Sequence, residues 1–265
     1  MTPQTTNIRA VALPAEHGGW ALIIEPLALG LLVAPSFAGL FIGAGALAAF
    51  LARHPLKLAV GDRRKDRILK RTSLADRFVL LYVALATVFF TIAVASLPRE
   101  FLLPFLIAGP LVFIQFLYDA RGHSRDLIAE LAGALAVGSI STAIALAGGW
   151  SRPTAFALWI IVACRHVPTI LYLRVLLSRR RQKQRPTVNG AVIVVQLLPL
   201  LAVYVLLFFK IAPVVAMVVF AILFGRAVIG LFNQAEPIPK KVGISEIAFG
   251  TFTVLMVSAG YRFGW

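Results

Sequence analysis

Residues 77–96 read RFVLLYVALATVFFTIAVAS, a stretch whose only charge is Arg77 at its edge. A helix of about 20 residues rising 1.5 Å each spans roughly 30 Å, the thickness of a bilayer's hydrocarbon core. This run is therefore a predicted membrane crossing. Working outward, comparable apolar runs bounded by charge or by Pro and Gly clusters fall at 19–34, 37–53, 101–118, 127–147, 154–176, 188–209, 213–232 and 244–262. Of the 265 residues, 60% are hydrophobic and 14% charged, whereas soluble domains run near half and a quarter. The expected fold is all-α, a polytopic membrane helical bundle of about nine transmembrane helices. Residues 1–18 would form a cytoplasmic N-terminal segment and residues 19–265 a single transmembrane domain.

The net charge of +15 would in a soluble chain raise the question of nucleic acid. Its distribution answers differently. With nine crossings, 20 basic residues fall on the N-terminal segment and the loops after runs 2, 4, 6 and 8, and four (Arg99, Arg152, Lys210 and Arg262) fall on the other side. By the positive-inside rule the N-terminus is cytoplasmic and the C-terminus outside. The bilayer is the expected partner and nucleic acid is not, because the basic runs are short loops beside lipid headgroups. The start of the chain reads poorly as a cleaved signal peptide, since Glu25 and Pro26 interrupt its apolar run. The lone Cys164 excludes an intrachain disulfide and a cysteine-based zinc site.

Ionisable side chains inside crossings are costly and need a partner or a water-filled cavity. Glu25 lies about two turns into the first run, and the following Pro26 is expected to loosen the helix. Arg165 and His166 sit in mid-run, about 20 Å along a helix from the next basic cluster, too far to reach the interface comfortably. Arg165 reads either as a structural plug paired with Glu25 or as a cation facing a cavity. His166 reads as a packing residue, and Arg226 as a side chain that snorkels. Trp20 is expected as an interfacial anchor.

The inner loops supply the other candidates. Arg53 and Lys57 stand in Arg53-His54-Pro55-Leu56-Lys57, followed by Gly61-Asp62-Arg63-Arg64-Lys65-Asp66-Arg67. Asp62 and Asp66, four apart, would share one face of a helix and hold a divalent cation against a phosphate, or else be neutralised by their basic neighbours. After run 4 comes Tyr118-Asp119-Ala120-Arg121-Gly122-His123-Ser124-Arg125-Asp126, leading to Glu130. There Arg121 and Arg125 share one helical face and Asp126 and Glu130 another, a patch suited to a phosphate or carboxylate. Tyr172 and Arg174 lie near the third inner loop. Ser245 reads as an N-cap and Glu246 as a first-turn acid. No Asp or Glu occurs from 131 to 235, so no carboxylate from the third inner loop can serve a metal. No phosphate-binding glycine loop, zinc helix or nucleophile elbow is present either.

The stretches Pro14-Ala15-Glu16-His17-Gly18-Gly19-Trp20-Ala21, Arg53-His54-Pro55-Leu56-Lys57 and Pro168-Thr169-Ile170-Leu171-Tyr172-Leu173-Arg174 resemble the YwiC-like family of bacterial integral membrane proteins, over nearly the whole chain. In architecture the sequence is also similar to the UbiA-type intramembrane prenyltransferases: nine crossings, N-terminus inside, functional loops after runs 2, 4 and 6. That second resemblance implies a polyprenyl diphosphate held through Mg2+ between two Asp-rich motifs. Asp62 and Asp66 match the first motif loosely, without its leading Asn-Asp, and the place of the second is acid-free.

Together these readings lead to an expected UbiA-like enzyme or degenerate relative that binds an isoprenoid or other anionic-head lipid in a cytoplasm-facing basic cavity. The candidate catalytic residues are Asp62, Asp66, Tyr118, Asp119 and Glu130, with Asp62 and Asp66 as ligands if Mg2+ is used. The candidate substrate-binding residues are Glu16, His17, Glu25, Arg53, Lys57, Arg63, Arg121, Arg125, Arg165, Tyr172 and Arg174. Without a metal, guanidinium groups would neutralise the head. The alternatives are a small-molecule transporter using Glu25 and Arg165, against which stands the lack of an internal repeat, and a non-catalytic membrane scaffold.

Overall fold

The computed structural model describes residues 8–14, 17–66, 69–96, 99–181, 190–233 and 237–264. Among these, ten α-helices and no strand occur: α1 (Ile8–Ala12), α2 (His17–Val33), α3 (Phe37–Arg63), α4 (Lys70–Ser96), α5 (Leu103–Ala120), α6 (Leu127–Ala147), α7 (Arg152–Arg181), α8 (Gly190–Phe208), α9 (Val214–Phe232) and α10 (Pro239–Phe263). A 3-10 turn (Arg99–Leu102) leads into α5. Eight helices, α3 to α10, are long and apolar enough to cross a membrane, and α2 adds a shorter apolar helix over Gly19–Val33. Leu80, Leu106, Phe113, Leu201 and Val214 are among many large apolar side chains left exposed. Such a surface needs lipid rather than water around it, and the chain is a multi-pass membrane protein.

Local signals set several boundaries. Ser36 caps α3, its hydroxyl accepting from the Gly39 amide at 3.0 Å, which explains how two residues suffice to turn α2 into α3. Pro239 stands in the first turn of α10, where its missing N–H costs nothing. Gly122 and Gly149 adopt φ of 81° and 83° in the turns after α5 and α6, conformations a side chain would resist.

The helices depart from the sequence reading in places that matter. Pro26 does not interrupt α2. Residues 53–57, expected in a loop, belong to α3, which continues through a buried Pro55 to Arg63. Pro55 removes one backbone hydrogen bond, and packing of α3 along α4 holds the helix across the gap. α10 starts five residues before the expected run, so Ile238 occupies the N-cap position and Glu246 lies two turns inside rather than in the first turn. Ser245 is therefore no cap, and its hydroxyl donates to the Val242 carbonyl at 2.8 Å.

α6 is the centre of the bundle, packed against α2, α3, α5 and α7. Its run of Ala, Gly, Ser and Thr is largely buried, and small residues let helix backbones approach closely in a membrane. Two hydrogen bonds fasten it to α7: Trp159 Nε1 donates to the Leu135 carbonyl at 2.7 Å, and Thr142 Oγ1 to the Ala155 carbonyl at 3.0 Å. α2 packs on α6 and α10, and α7 to α10 pack in sequence, so six helices form a closed ring that α3, α4 and α5 flank. At one end Trp150 meets Tyr261 with ring centroids 5.2 Å apart, and the Tyr261 hydroxyl donates to the Ile211 carbonyl at 2.8 Å. The other end, where α3, α5, α6 and α7 carry their charges, holds a hollow.

Candidate functional site

The hollow has a volume of about 620 Å³ and lies among α2, α3, α6 and α7. Its mouth carries Arg53, His54 and Lys57 from α3, Ser124 and Arg125 from the turn after α5, and Glu130 from the first turn of α6. Ala21, Leu22, Phe50, Val137, Ile170 and Leu173 make an apolar collar, and Glu25, Arg165, His166 and Glu246 stand at the floor. From Leu173 to His166, α7 descends seven residues, about 10 Å. The continuation of α3 through Pro55 brings Arg53 and Lys57, one turn apart, to the same opening.

The floor is an ionic cluster drawn from four helices. Arg165, 4% exposed, lies with Nε 3.7 Å from Glu25 Oε2, while its Nη2 donates to Glu246 Oε2 at 3.2 Å and to the Glu246 carbonyl at 3.1 Å. Its Nη1 donates to the Thr169 hydroxyl. His166 Nε2 lies 3.1 Å from Glu25 Oε2. Arg226 pairs with Glu246 Oε1 at 2.7 Å and stands over the rings of Tyr172 and Phe249, at 4.7 and 4.9 Å from their centroids. Two carboxylates thus face two guanidiniums, and their charges offset one another. That balance is what lets it persist where an unpaired charge would be prohibitive. Gly250 is the close neighbour of Glu25, since a Cβ there would run into the carboxylate.

The mouth is held more loosely. Arg53 donates from Nε and Nη2 to Asp119 at 2.6 and 3.0 Å, a bidentate pair. With its amide oxygen turned toward Arg53, Gln115 accepts from the same guanidinium at 3.2 and 2.9 Å. Lys57 Nζ donates to the Ser124 hydroxyl at 2.5 Å, a neutral partner. Arg174 Nε donates to Glu130 at 2.9 Å and its Nη2 to the Arg125 carbonyl, tying α7 to the turn before α6.

Of the residues picked from the sequence, Glu25, Arg53, Lys57, Arg125, Glu130 and Arg165 line one hollow, and Asp119 and Arg174 brace it. Others go elsewhere. Asp62 is buried against Arg71 Nη2 at 2.5 Å and accepts from Thr72 at 2.9 Å. Asp66 lies beyond the end of α3 with φ 49°, so the two do not share a helical face. Arg63 pairs with Asp76 at 2.7 Å. Tyr118 and the exposed Arg121 do not line the hollow, and because α5 ends at Ala120 Arg121 and Arg125 are not on one helix. Tyr172 is buried against Arg226. Glu16 and the side chain of His17 lie outside the described residues. Among the described residues, no group of three or more His, Cys, Asp or Glu is placed to hold a metal.

The sequence reading missed Glu246 and misassigned Arg226, which is drawn inward and does not snorkel. A charge count over the crossings held the signal: Arg165 and Arg226 are two buried cations, Glu25 is one anion, and a second acid was required. His166, read as packing, is a floor residue bonded to Glu25.

One family model, described as YwiC-like protein, matches residues 13–145, which takes in α2 to α5 and nearly all of α6. No curated protein matches the chain, and no solved structure does.

Proposed function

The chain belongs to the YwiC-like family, and we propose that it binds an amphiphile with an anionic head, an isoprenoid or other lipid, in the hollow at its cytoplasmic face. One observation carries this reading: Arg53 and Lys57 from α3 and Arg125 from the turn after α5 converge on the mouth of a hollow whose next layer is apolar. A phosphate or carboxylate suits the mouth, and a hydrocarbon chain suits the collar. At about 30 Å³ per water-sized group, 620 Å³ accommodates about twenty such groups. A longer tail would pass between helices into the bilayer.

In this reading the head is neutralised by cationic side chains and not by Mg2+. Asp62, the loose match to a metal motif, already has a guanidinium on both its oxygens. Asp119 and Glu130, candidates for catalysis, position Arg53 and Arg174. The chain then keeps the UbiA-like arrangement of crossings while handling its lipid without the second Asp-rich motif. The orientation that goes with it has the mouth and N-terminus in the cytoplasm and the C-terminus outside, in a bacterial cytoplasmic membrane, as the basic loops imply.

The test is equilibrium binding of labelled polyprenyl diphosphates to the purified protein in lipid nanodiscs, with and without EDTA. Equal binding in both conditions, lost in the Lys57→Ala/Arg125→Ala double variant, is expected. No binding in either condition overturns the proposal.

A further inference from the structure

Away from the hollow, the outer face of α4 carries a pattern that the bundle itself does not use. α4 packs mainly on α3, and its buried residues, Thr72, Ala75, Ala86 and Ala93, form one side of the helix. At about 100° per residue, Lys70, Arg77, Leu81 and Val88 fall within about 20° of a single line on the opposite side. All four are exposed. The acids of the hairpin of α3 and α4 do not serve these two cations: Asp62 is bound by Arg71 and Asp76 by Arg63, and Asp66 lies beyond the end of α3. Among the described residues, the side chains of Lys70 and Arg77 have no hydrogen bond or ion pair. Ser73, exposed and equally unpartnered, stands between them.

Depth gives this line its meaning. Lys70 and Arg77 are about 10 Å apart along the helix axis, and Arg77 and Val88 about 16 Å, close to the depth of one leaflet's hydrocarbon. With Arg77 at the edge of the apolar run, the two cations span the headgroup layer, and Leu81 and Val88 run down the acyl layer. The geometry points to a binding site for an anionic phospholipid on this face, in the leaflet on the side of the hollow's mouth. The phosphate sits between Lys70 and Arg77, the Ser73 hydroxyl donates to one of its oxygens, and an acyl chain lies along Leu81 and Val88. The apolar half of the line selects a lipid over a free phosphate or an acidic protein. The second cation selects an anionic head over a zwitterionic one, whose ammonium it repels. The site stands apart from the hollow and does not depend on what binds there.

The experiment is photo-crosslinking of the protein in phosphatidylcholine nanodiscs that contain a trace of a probe lipid with a diazirine on its acyl chain, followed by peptide mapping. The probe carries either a phosphatidylglycerol or a phosphatidylcholine head. In wild type at low salt, α4 peptides are expected to take up the glycerol-headed probe roughly fivefold or more over the choline-headed one, as cations beside an anionic head provide. That ratio is expected to fall toward one in about 1 M salt, where the screening length is about 3 Å, a readout that needs no variant to fold. It is also expected to fall toward one in Lys70→Gln/Arg77→Gln. Lys240→Gln/Lys241→Gln, which removes the same charge from the exposed start of α10, is expected to keep the preference. Equal labelling by the two probes in wild type, a preference that survives Lys70→Gln/Arg77→Gln, or an equal loss in Lys240→Gln/Lys241→Gln overturns the site.

Discussion

Glu246→Gln isolates the ionic cluster most sharply, because Glu246 faces both Arg165, at 3.2 Å, and Arg226, at 2.7 Å. At an effective dielectric constant near 20, each pair attracts by roughly 5–6 kcal/mol at such separations, and desolvation of the ions offsets much of it. Removing one partner leaves the desolvation in place, so the loss is set by the stranded guanidinium: about 3–5 kcal/mol. Unfolding equilibria in mixed detergent micelles measure it. Glu246→Gln/Arg226→Met removes one charge of each sign and leaves Arg165 with Glu25, so the double variant should recover at least half of the loss. A Glu246→Gln variant within about 1 kcal/mol of wild type would refute the reasoning, and so would a double variant as unstable as the sum of the two single ones, since additivity is the mark of uncoupled sites.

Three further outcomes are expected. Gly250→Ala should destabilise the bundle by about 1–3 kcal/mol, as overpacking does, and should displace Glu25 from His166, visible as an altered His166 ring-nitrogen resonance; an unchanged resonance would contradict the crowding there. Lys57→Ala should weaken binding of a labelled polyprenyl diphosphate roughly tenfold or more, the worth of a charge-assisted contact, while Arg63→Ala, whose side chain pairs with Asp76 away from the hollow, should leave the dissociation constant within about twofold. Asp62→Asn should lower stability without changing that dissociation constant or its indifference to EDTA, because Asp62 holds Arg71 and Thr72 and touches no part of the lining; a binding defect confined to metal-containing buffer would show instead that it serves a cation.

The nine apolar runs, the turn at Ser36 and the start of α6 at residue 127 were legible in the sequence. So were Glu25 and Arg165, because an ionisable group in an apolar run stands out. The structure carries helices through local breakers where tertiary packing outweighs them, at Pro26 and Pro55, and the lengthening of α3 at Pro55 moved Arg53 and Lys57 from a loop onto the wall of the hollow. The pairing of Asp62 with Asp66 failed for the opposite reason: helical spacing counts only while the helix lasts, and α3 stops at Arg63.

Hydropathy is a property of consecutive residues, and it decided that this chain spans a membrane many times. Which buried charge meets which is not such a property. Glu25 finds His166 across 141 positions, and Arg165 finds Glu246 across 81. Only the packing of small-residue helix faces around α6 brings α2, α7, α9 and α10 near enough for those charges to cancel, and only that packing leaves a hollow above them.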